Sequence, residues 1–494
     1  MAINSKQQQY WAVAIVGFGL AILFWFFAAK IALFNKHTYQ SDLFSHIQTS
    51  RSWLQGRPAM FENNYGNHAQ YHNYFFNLLL GPLVLWWGAY GLFTVQLGLY
   101  VWAFIYGFKT LQKAKVSNAR ITVFLLALFL GPYSFWLYDD TWFGFHIEML
   151  YIPLGFIFAL SLHRQQKWVS IISALFIISV KEDGAVLAAC LHILYFTWEW
   201  ISGPITQKQW LKKTFMWGVV YLAIFALGIF YLKYKNHFAE TRLDKAFARW
   251  AEMDNSVKKD YITSILNSFA LMQLPLVVWL MFVRIQPKLL LWWALLSLPV
   301  LAVNLVSGLV YLPQNGFSLT WVPRFSLSFT LFLAVAAYTI IQGRFWFSSL
   351  QKNNVLSIAV AIILVIAQVV LLQTAVNYSF SQNAVGIFSK PKPATEKPYV
   401  KEIEAVAKVL PYNYTVAPPY WLLGAFHKHD YLWISSVYNA WQNPRMVICD
   451  ETLWEGVSPT ERLQHPDSVI KPNVRYYFEH EDRHYLVEAG VCNE

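Results

Sequence analysis

Ionisable residues that could carry chemistry stand in short clusters between long apolar stretches of this chain. The clearest cluster is Lys181-Glu182-Asp183, which interrupts an otherwise almost wholly apolar run from Trp168 to Trp198. At the centre of a bilayer, each of these charges would cost about 2.5–3.5 kcal/mol on insertion scales. A cost of that size indicates a turn, a partner or a function at this tripeptide.

Carboxylates and imidazoles, the usual acids, bases and metal ligands of enzymes, flank other apolar stretches. Asp42 follows the first stretch, and a later loop carries Asp139, Asp140, His146 and Glu148. Each residue also has an ordinary interpretation. A lone Asp in a loop is often solvated surface, and Asp139 with Asp140 can cap a helix. His146 and Glu148 alternate along the chain and need not point the same way.

Two histidines and one arginine complete the set of candidates. His68 and His72 stand four residues apart, a spacing that suits metal ligation from one helical face. Paired histidines near a membrane surface also serve structure, so both interpretations stay open. Arg324 lies close to the start of an apolar stretch. It either stabilises an anion there or extends toward the lipid headgroups.

Composition indicates the class of protein to which these clusters belong. Of 494 residues, 56% are hydrophobic, 18% are aromatic and only 13% are charged, and the mean hydropathy is positive. Such a chain has too little polar surface for a soluble globule of this size. The formal charge of +11 does not indicate a nucleic-acid partner, because the basic residues cluster in short gaps between apolar stretches. We predict an α-helical polytopic membrane protein.

Apolar stretches of about 17–25 residues predict membrane-spanning helices. Eleven are expected, at 10–34, 91–108, 121–137, 147–162, 168–180, 184–200, 214–232, 265–283, 289–311, 325–342 and 355–375. The first is too long for the apolar core of a signal peptide, and no small-residue cleavage pattern follows it. We therefore interpret it as a retained anchor.

Basic residues alternate from gap to gap between the predicted spans. The basic gaps, nearly free of acids, are the N-terminus with Lys6 and the segments 109–120, 163–167, 201–213, 284–288 and 343–354. The positive-inside rule places them in the cytoplasm and the acid- and histidine-rich gaps outside. Both 163–167 and 201–213 can be cytoplasmic only if 168–200 forms two short helices that turn at residues 181–184. The first would be about 20 Å long at 1.5 Å per residue, which puts the turn in a protein-lined recess.

The composition changes after the last predicted span. We expect a transmembrane domain at 1–376 and a small extracytoplasmic α/β domain at 377–494. Short strand-like runs favour the second domain, and they lie at 414–417, 431–435, 446–449, 475–480 and 484–488. Cys449 and Cys492 fall in this outer domain, where they form either a disulfide or two separate thiols.

Several motifs together resemble a prokaryotic polytopic membrane family known by a domain-of-unknown-function label. They are Asp42-Leu43-Phe44, His72 ahead of Gly81-Pro82, Phe143-Gly144-Phe145-His146-Ile147-Glu148 and Val180-Lys181-Glu182-Asp183. The resemblance covers about residues 35–200 and, more loosely, the rest of the chain. This family in turn resembles the class C (GT-C fold) glycosyltransferases, among them the oligosaccharyltransferases, the protein O-mannosyltransferases and the lipid A aminoarabinose transferases.

This resemblance implies a glycosyltransferase with a polyprenyl-phosphate-linked sugar as donor and a glycan, lipid or protein as acceptor. It implies a catalytic base at Asp42 in the first outer loop and further acids in the second, where Asp139, Asp140 and Glu148 are the candidates. The residues expected to bind the substrate or its phosphate are His72, Lys181, Asp183 and Arg324. The expected location is the cytoplasmic membrane of a bacterium or archaeon, with the N-terminus in the cytoplasm.

A divalent metal held by Asp140, His146 and Glu148 would also stabilise charge on a departing phosphate. Oxygen ligands favour Mg²⁺ or Mn²⁺, and an added histidine shifts the preference toward Mn²⁺ or Zn²⁺. One position departs from the family pattern, because Gly144 stands where an aspartate is expected. Any acidic role of that position passes to Asp140 or is lost.

Two other functions fit the same features. A transporter or flippase of a lipid-linked or small polar substrate also uses broken helices and buried charges. Against it, the charges fall at one face rather than at the midplane, and no internal repeat is apparent. A catalytically inactive GT-C-like subunit, with the outer domain as a docking module, is the other alternative, and Gly144 keeps it open.

Overall fold

The computed structural model covers most of the apolar part of the chain and short pieces of its tail. It describes residues 5–37, 39, 42–64, 66–117, 121, 124–125, 144–240, 242–272, 285–309, 326–342, 404, 407–408, 412–413, 415–418, 420–431, 446–447, 475–480 and 483–488. Asp139, Asp140, Arg324, Cys449 and Cys492 lie outside these residues. The predicted span 355–375 and most of 121–137 also lie outside them.

Helices make up most of the described chain. They are α1 (Ser5–Asn35), α2 (Asp42–Arg51), α3 (Phe75–Trp87), α4 (Ala89–Lys113), α5 (Tyr151–His163), α6 (Lys167–Val180), α7 (Gly184–Ser202), α8 (Gln207–Lys235), α9 (Arg242–Glu252), α10 (Asn255–Met272), α11 (Pro287–Leu309) and α12 (Ser326–Gln342). Within the described residues, α1, α4, α7 and α8 are long and apolar enough to cross a membrane unaided. Shorter apolar helices are α3, α5, α6, α12 and the segment Pro287–Val303 of α11. The total of eleven membrane helices stays a prediction.

The predicted spans agree with helices wherever the structure describes them. The stretches 168–180 and 184–200 correspond to α6 and α7, which are separate helices as expected. Short helices were not predicted, because α2, α3 and α9 have at most 13 residues and are too short for a span. One of them, α2, carries Asp42 at its first position.

The helices α5 to α8 follow one another as an up-and-down bundle. A turn at Arg164–Gln166 joins α5 to α6, and residues 203–206 join α7 to α8. Gly203 ends α7 in the left-handed region at φ 97°, which favours glycine, and Thr206 opens α8 through a capping box with Gln209. We call the end of the bundle where α5 and α7 begin the site end, and the other the opposite end.

Contacts along the bundle show in which direction α4 and α12 run. Tyr338 of α12 donates to the carbonyl of Ala159 on α5 at 2.9 Å, and Gln342 reaches Ser202 at the opposite end. On α4, Tyr106 donates to Gln166 at 2.5 Å, also at the opposite end. The starts of α4, α5, α7 and α12 therefore share the site end.

Helix α3 lies across the site end instead of along the bundle. The ring of Phe75 at its start is 5.2 Å from that of Tyr231, near the end of α8. Directly after its last residue, the amide of Ala89 donates to His427 at 3.1 Å. A Cβ at Gly81, in the middle of α3, would stand 2.7 Å from the carbonyl oxygen of Ser50 on α2. Glycine therefore permits the close approach of α3 to α2.

Strands are few and short in the described chain. The first loop holds an antiparallel pair, β1 (Phe61–Glu62) and β2 (Gly66–Asn67). In the tail, β3 (Thr415–Ala417) lies between β4 (Asp430–Tyr431) and β5 (Met446–Val447) in a parallel sheet. The strands β6 (Arg475–His480) and β7 (Arg483–Glu488) pair as an antiparallel hairpin. These strands fall in or beside the runs predicted from the sequence.

Candidate functional site

Asp42, at the start of α2, and His146, just before the turn into α5, meet at the site end. The carboxylate Oδ2 of Asp42 is 2.9 Å from Nε2 of His146. Asp42 opens α2, where the helix dipole favours a negative charge. Its side chain is 42% exposed, whereas that of His146 is only 14% exposed. A molecule in solvent or at the membrane surface can therefore reach the carboxylate.

His146 owes its position to the turn that follows it. The residue is extended, with φ −124° and ψ 132°, and a 3₁₀ turn at Ile147–Leu150 leads directly into α5. Tyr100 of α4 supports this turn by donating to the carbonyl of Met149 at 3.2 Å. Glu148 lies within this turn, and it is buried.

The Lys181-Glu182-Asp183 tripeptide joins α6 to α7 as a tight turn. Lys181 is extended, and the amide of Gly184 donates to its carbonyl at 3.0 Å. A Cβ on Gly184 would stand 2.0 Å from the carbonyl oxygen of Ile177. The turn therefore needs glycine at 184, and the tripeptide lies at the helix ends, not within a span, as predicted.

Lys181 bridges two buried carboxylates within this turn. Its Nζ is 3.1 Å from Oε1 of Glu148 and 3.9 Å from Oδ2 of Asp183. Asp183 also accepts a hydrogen bond from the hydroxyl of Tyr151, the first residue of α5. Lys181 is the partner that offsets the burial of the two acids.

Glu182 ties the same turn to the first loop. Its Oε1 is 2.9 Å from Nδ1 of His72, and its Oε2 accepts the amide of Asn73 at 3.2 Å. The Asn73 side chain in turn donates to the carbonyl of Gly228 on α8 at 2.9 Å. Each residue of the tripeptide thus has its own partner on a different element, so the turn holds the first loop, the second loop and α5 together.

Burial and charge separate the pKa values of these carboxylates. Burial alone would raise the pKa of Glu148, but the positive charges of Lys181 and His146 outweigh it and lower that pKa to about 2. Burial raises the pKa of Asp183 to about 6, against the opposing charge of Lys181. Burial also raises the pKa of Glu182. At neutral pH the site therefore contains a firmly ionised acid beside one that titrates near pH 6.

His46, one helical turn after Asp42, is a member of the site that sequence reasoning missed. Burial lowers the pKa of His46 to about 4, so the ring is neutral at pH 7. Its Nδ1 is 3.0 Å from the Asn77 amide nitrogen, which places the ring proton on Nε2. The ring packs edge-on against Phe145, at 5.4 Å between centroids. The i, i+4 spacing from Asp42 was the available signal.

His68 and His72 both hold carboxylates. Nδ1 of His68 is 2.9 Å from Oε1 of Glu62, and the two histidine rings lie 6.3 Å apart against Tyr74. Over the described ranges, no group of three or more His, Cys, Asp or Glu residues has the arrangement of a metal site. The metal expected at Asp140, His146 and Glu148 stays a prediction, because Asp140 is outside those ranges.

The chain matches, over residues 8–422, the family described as "Predicted membrane protein (DUF2079)". The chain belongs to the DUF2079 family. A search of the curated proteins finds no match. The family match runs from α1 through α12 and ends inside the 3₁₀ turn Tyr420–Phe426, so it contains every described residue of the site. The family description assigns no reaction, and the chemistry is argued from the side chains.

Gly144 of this DUF2079 member is required by the backbone. Its φ is +70°, a left-handed conformation that glycine adopts without strain. A Cβ there would stand 2.6 Å from Cγ of the Tyr39 ring. An aspartate would therefore strain the backbone and displace Tyr39. The departure from the expected Phe-Asp-Phe pattern follows from this packing.

A piece of the tail packs against α2, the helix that carries Asp42. Arg51, at the end of α2 and 1% exposed, donates to the carbonyls of three consecutive residues, His427, Lys428 and His429. The hydroxyl of Tyr431 donates to the carbonyl of Phe44 at 2.5 Å. Tail residues some 380 positions away thus fix both ends of α2, which no local sequence pattern indicates.

A second arginine strengthens this contact from the first loop. Arg57 forms a two-pronged ion pair with Asp430. Asn63 donates to the same carboxylate at 2.9 Å and to the carbonyl of Tyr431 at 3.0 Å. Paired arginine–carboxylate geometry of this kind is among the stronger polar contacts. The described tail residues near β4 are therefore part of the framework around the site.

Proposed function

We propose that this DUF2079 protein is a membrane glycosyltransferase. It moves a sugar from a polyprenyl-phosphate-linked donor to an acceptor on a glycan, lipid or protein, at the outer face of the cytoplasmic membrane. The observation that carries the proposal is the half-exposed Asp42 carboxylate, 2.9 Å from His146, beside the buried group of Glu148, Lys181 and Asp183. The class of donor rests on the resemblance to GT-C glycosyltransferases.

In the proposed reaction, Asp42 acts as the general base. It takes the proton of an acceptor hydroxyl or amine, and the acceptor atom forms a bond to the anomeric carbon of the sugar. The bond between that carbon and the phosphate oxygen breaks, and polyprenyl phosphate leaves with the electron pair. His146 holds the carboxylate in place through its contact with Oδ2, and it stabilises Asp42 as the proton is transferred.

Positive charge near Asp42 stabilises the leaving phosphate in this scheme. Lys181 is a buried cation of the site, and Arg324 is proposed as the second from its place in the sequence. His72 and Asp183 complete the substrate-binding set, with His72 oriented by Glu182. A charge that is fixed before the reaction needs no reorganisation when the phosphate leaves.

A divalent metal fits one feature of the site. Oε2 of Glu148 is buried and accepts no hydrogen bond from the residues that the structure describes. With His146 and Asp140 it would offer the oxygen and imidazole ligands that suit Mg²⁺ or Mn²⁺. When bound, the metal would neutralise negative charge on the phosphate.

The proposed orientation has the N-terminus in the cytoplasm and residues 377–494 outside, with the site end toward the outer surface. The support is the charge of the segments at the opposite end, since 109–117, 164–167, 203–213 and 285–288 contain no Asp or Glu. A cysteine introduced at Lys208 should then react with impermeant thiol reagents only after the membrane is opened. Labelling of this cysteine in intact cells would overturn the orientation.

The reaction is tested by release of polyprenyl phosphate from purified protein in lipid nanodiscs, with a panel of synthetic polyprenyl-phosphate sugars as donors. The wild type should turn over at least one donor, and Asp42→Asn should reduce turnover by about 10²–10⁴-fold, the usual contribution of a general base. The matched control is Asp254→Asn, an exposed acid between α9 and α10, which should retain activity. Equal activity in all three proteins would remove Asp42 as the base.

A further inference from the structure

Three tryptophans from three helices contact one another at the opposite end of the bundle. Trp200 of α7 lies on Trp210 of α8, with ring centroids 4.9 Å apart and planes at 23°. Trp210 meets Trp292 of α11 edge-on at 5.0 Å. Its indole nitrogen donates to the hydroxyl of Thr197 at 3.2 Å, which fixes the ring. The three rings lie where α7 ends and α8 and α11 begin.

Two lysines cover the aromatic rings of this region. Nζ of Lys288 is 5.3 Å from the centroid of the Trp200 ring, and Nζ of Lys213 is 5.2 Å from that of Phe196. Both distances are those of a cation–π contact, and Lys288 is exposed. We call Trp200, Trp210, Trp292, Lys213 and Lys288 the tryptophan–lysine patch.

The patch has an excess of positive charge. The one acid that faces it from the described helices is Glu199, which accepts from the Tyr195 hydroxyl at 2.7 Å and pairs with Lys213 at 3.3 Å. Lys208 and Lys212 add two exposed charges in the first turns of α8. Lys288 therefore has no competing carboxylate in the described part of this end.

We infer that the tryptophan–lysine patch binds the phosphodiester of an anionic phospholipid. A phosphate oxygen pairs with the ammonium of Lys288, and the indole rings occupy the depth at which lipid headgroups meet acyl chains. Leu211 and Phe215 beside the patch are 52% and 75% exposed, so the acyl chains of a lipid bound at Lys288 would lie against apolar side chains. The inference is independent of the proposed reaction.

Native mass spectrometry of the full chain with phosphatidylglycerol and phosphatidylcholine tests this site. The wild type should bind phosphatidylglycerol more tightly, and added salt should reduce the difference. Lys288→Gln should weaken phosphatidylglycerol binding about fivefold, which corresponds to about 1 kcal/mol for one basic residue at a membrane surface. Lys288→Arg should restore it. The control is Lys113→Gln, which removes an exposed lysine from the end of α4 that lies at the opposite end of the bundle. This variant should bind phosphatidylglycerol almost as tightly as the wild type.

A second measurement uses the unaltered protein. A photoreactive phosphatidylglycerol should label peptides from 200–213 and 287–293, where the patch residues lie. Labelling confined to other segments would overturn the site. So would equal binding of the two lipids by the wild type, or equal losses in Lys288→Gln and Lys113→Gln.

Discussion

Removal of Lys181 should expose how much the site depends on one buried cation. The side chains of Lys181 and Glu148 are 9% and 8% exposed, and Nζ is 3.1 Å from Oε1. In Lys181→Met, Glu148 and Asp183 lose their shared counter-charge while staying buried. Breaking a buried pair by removing one partner costs about 3–5 kcal/mol. We expect the free energy of unfolding to fall by that amount.

The chain offers a matched control for this change. Lys233 pairs with Asp244 at 3.4 Å, but these side chains are 41% and 39% exposed. An exposed pair contributes about 0–1 kcal/mol, so Lys233→Met should cost no more than that. Both pairs join a lysine to an acid on another element. They differ in burial and in the second carboxylate, that of Asp183, which Lys181 also contacts.

The assay is equilibrium unfolding of the detergent-solubilised protein by added SDS. It compares the single variants Lys181→Met and Lys233→Met with the double variant Lys181→Met/Glu148→Gln. The double variant should recover much of the lost stability, because the Glu148→Gln change removes the buried negative charge at that position and Asp183 can protonate. Equal losses in Lys181→Met and Lys233→Met would refute the reasoning. Failure of Glu148→Gln to recover any stability would show that Lys181 acts through another contact.

Further predictions concern backbone and pH. Gly144→Ala should destabilise the fold by at least about 1–2 kcal/mol, through its left-handed φ and the contact with Tyr39, whereas Gly98→Ala, in an open helical position, should be neutral or stabilising in the same titration. Because the folded pKa of Asp183 lies near 6, above its ordinary 3.8, its contribution to stability falls as pH rises between those values. At 1.36 kcal/mol per pKa unit this amounts to about 3 kcal/mol. Asp183→Asn should flatten the pH dependence of SDS unfolding between pH 4 and 6, and an unchanged slope would contradict the assignment.

Periodicity and charge predicted the parts of the fold that depend on local sequence. The turn at Lys181-Glu182-Asp183 was predicted because two basic segments had to share one side, and the structure confirms separate helices on either side of it. The membrane helices within the described residues were predicted from apolar length alone. Helix α3 was not, because its 13 residues are too few to span and it lies across the bundle end.

Partners far apart in sequence could not be predicted in the same way. Glu182 pairs with His72, 110 residues away, and Arg51 binds carbonyls 376 to 378 residues away. Such contacts depend on how helices pack, which periodicity does not specify. The ring of Tyr39, far away in sequence, explains why Gly144 stands in the Phe-Gly-Phe-His motif. Asp140 and Arg324 stay predictions outside the described chain.

The most direct test of the account is the position of a donor analogue on the protein. A non-hydrolysable polyprenyl-phosphonate sugar should be visible by cryo-electron microscopy at the site end, with its anomeric carbon facing Asp42 and its phosphonate toward Lys181. That result would place the reacting bond beside the Asp42–His146 pair. Density for the sugar at the bundle midplane or at the opposite end would contradict the proposed glycosyltransferase site.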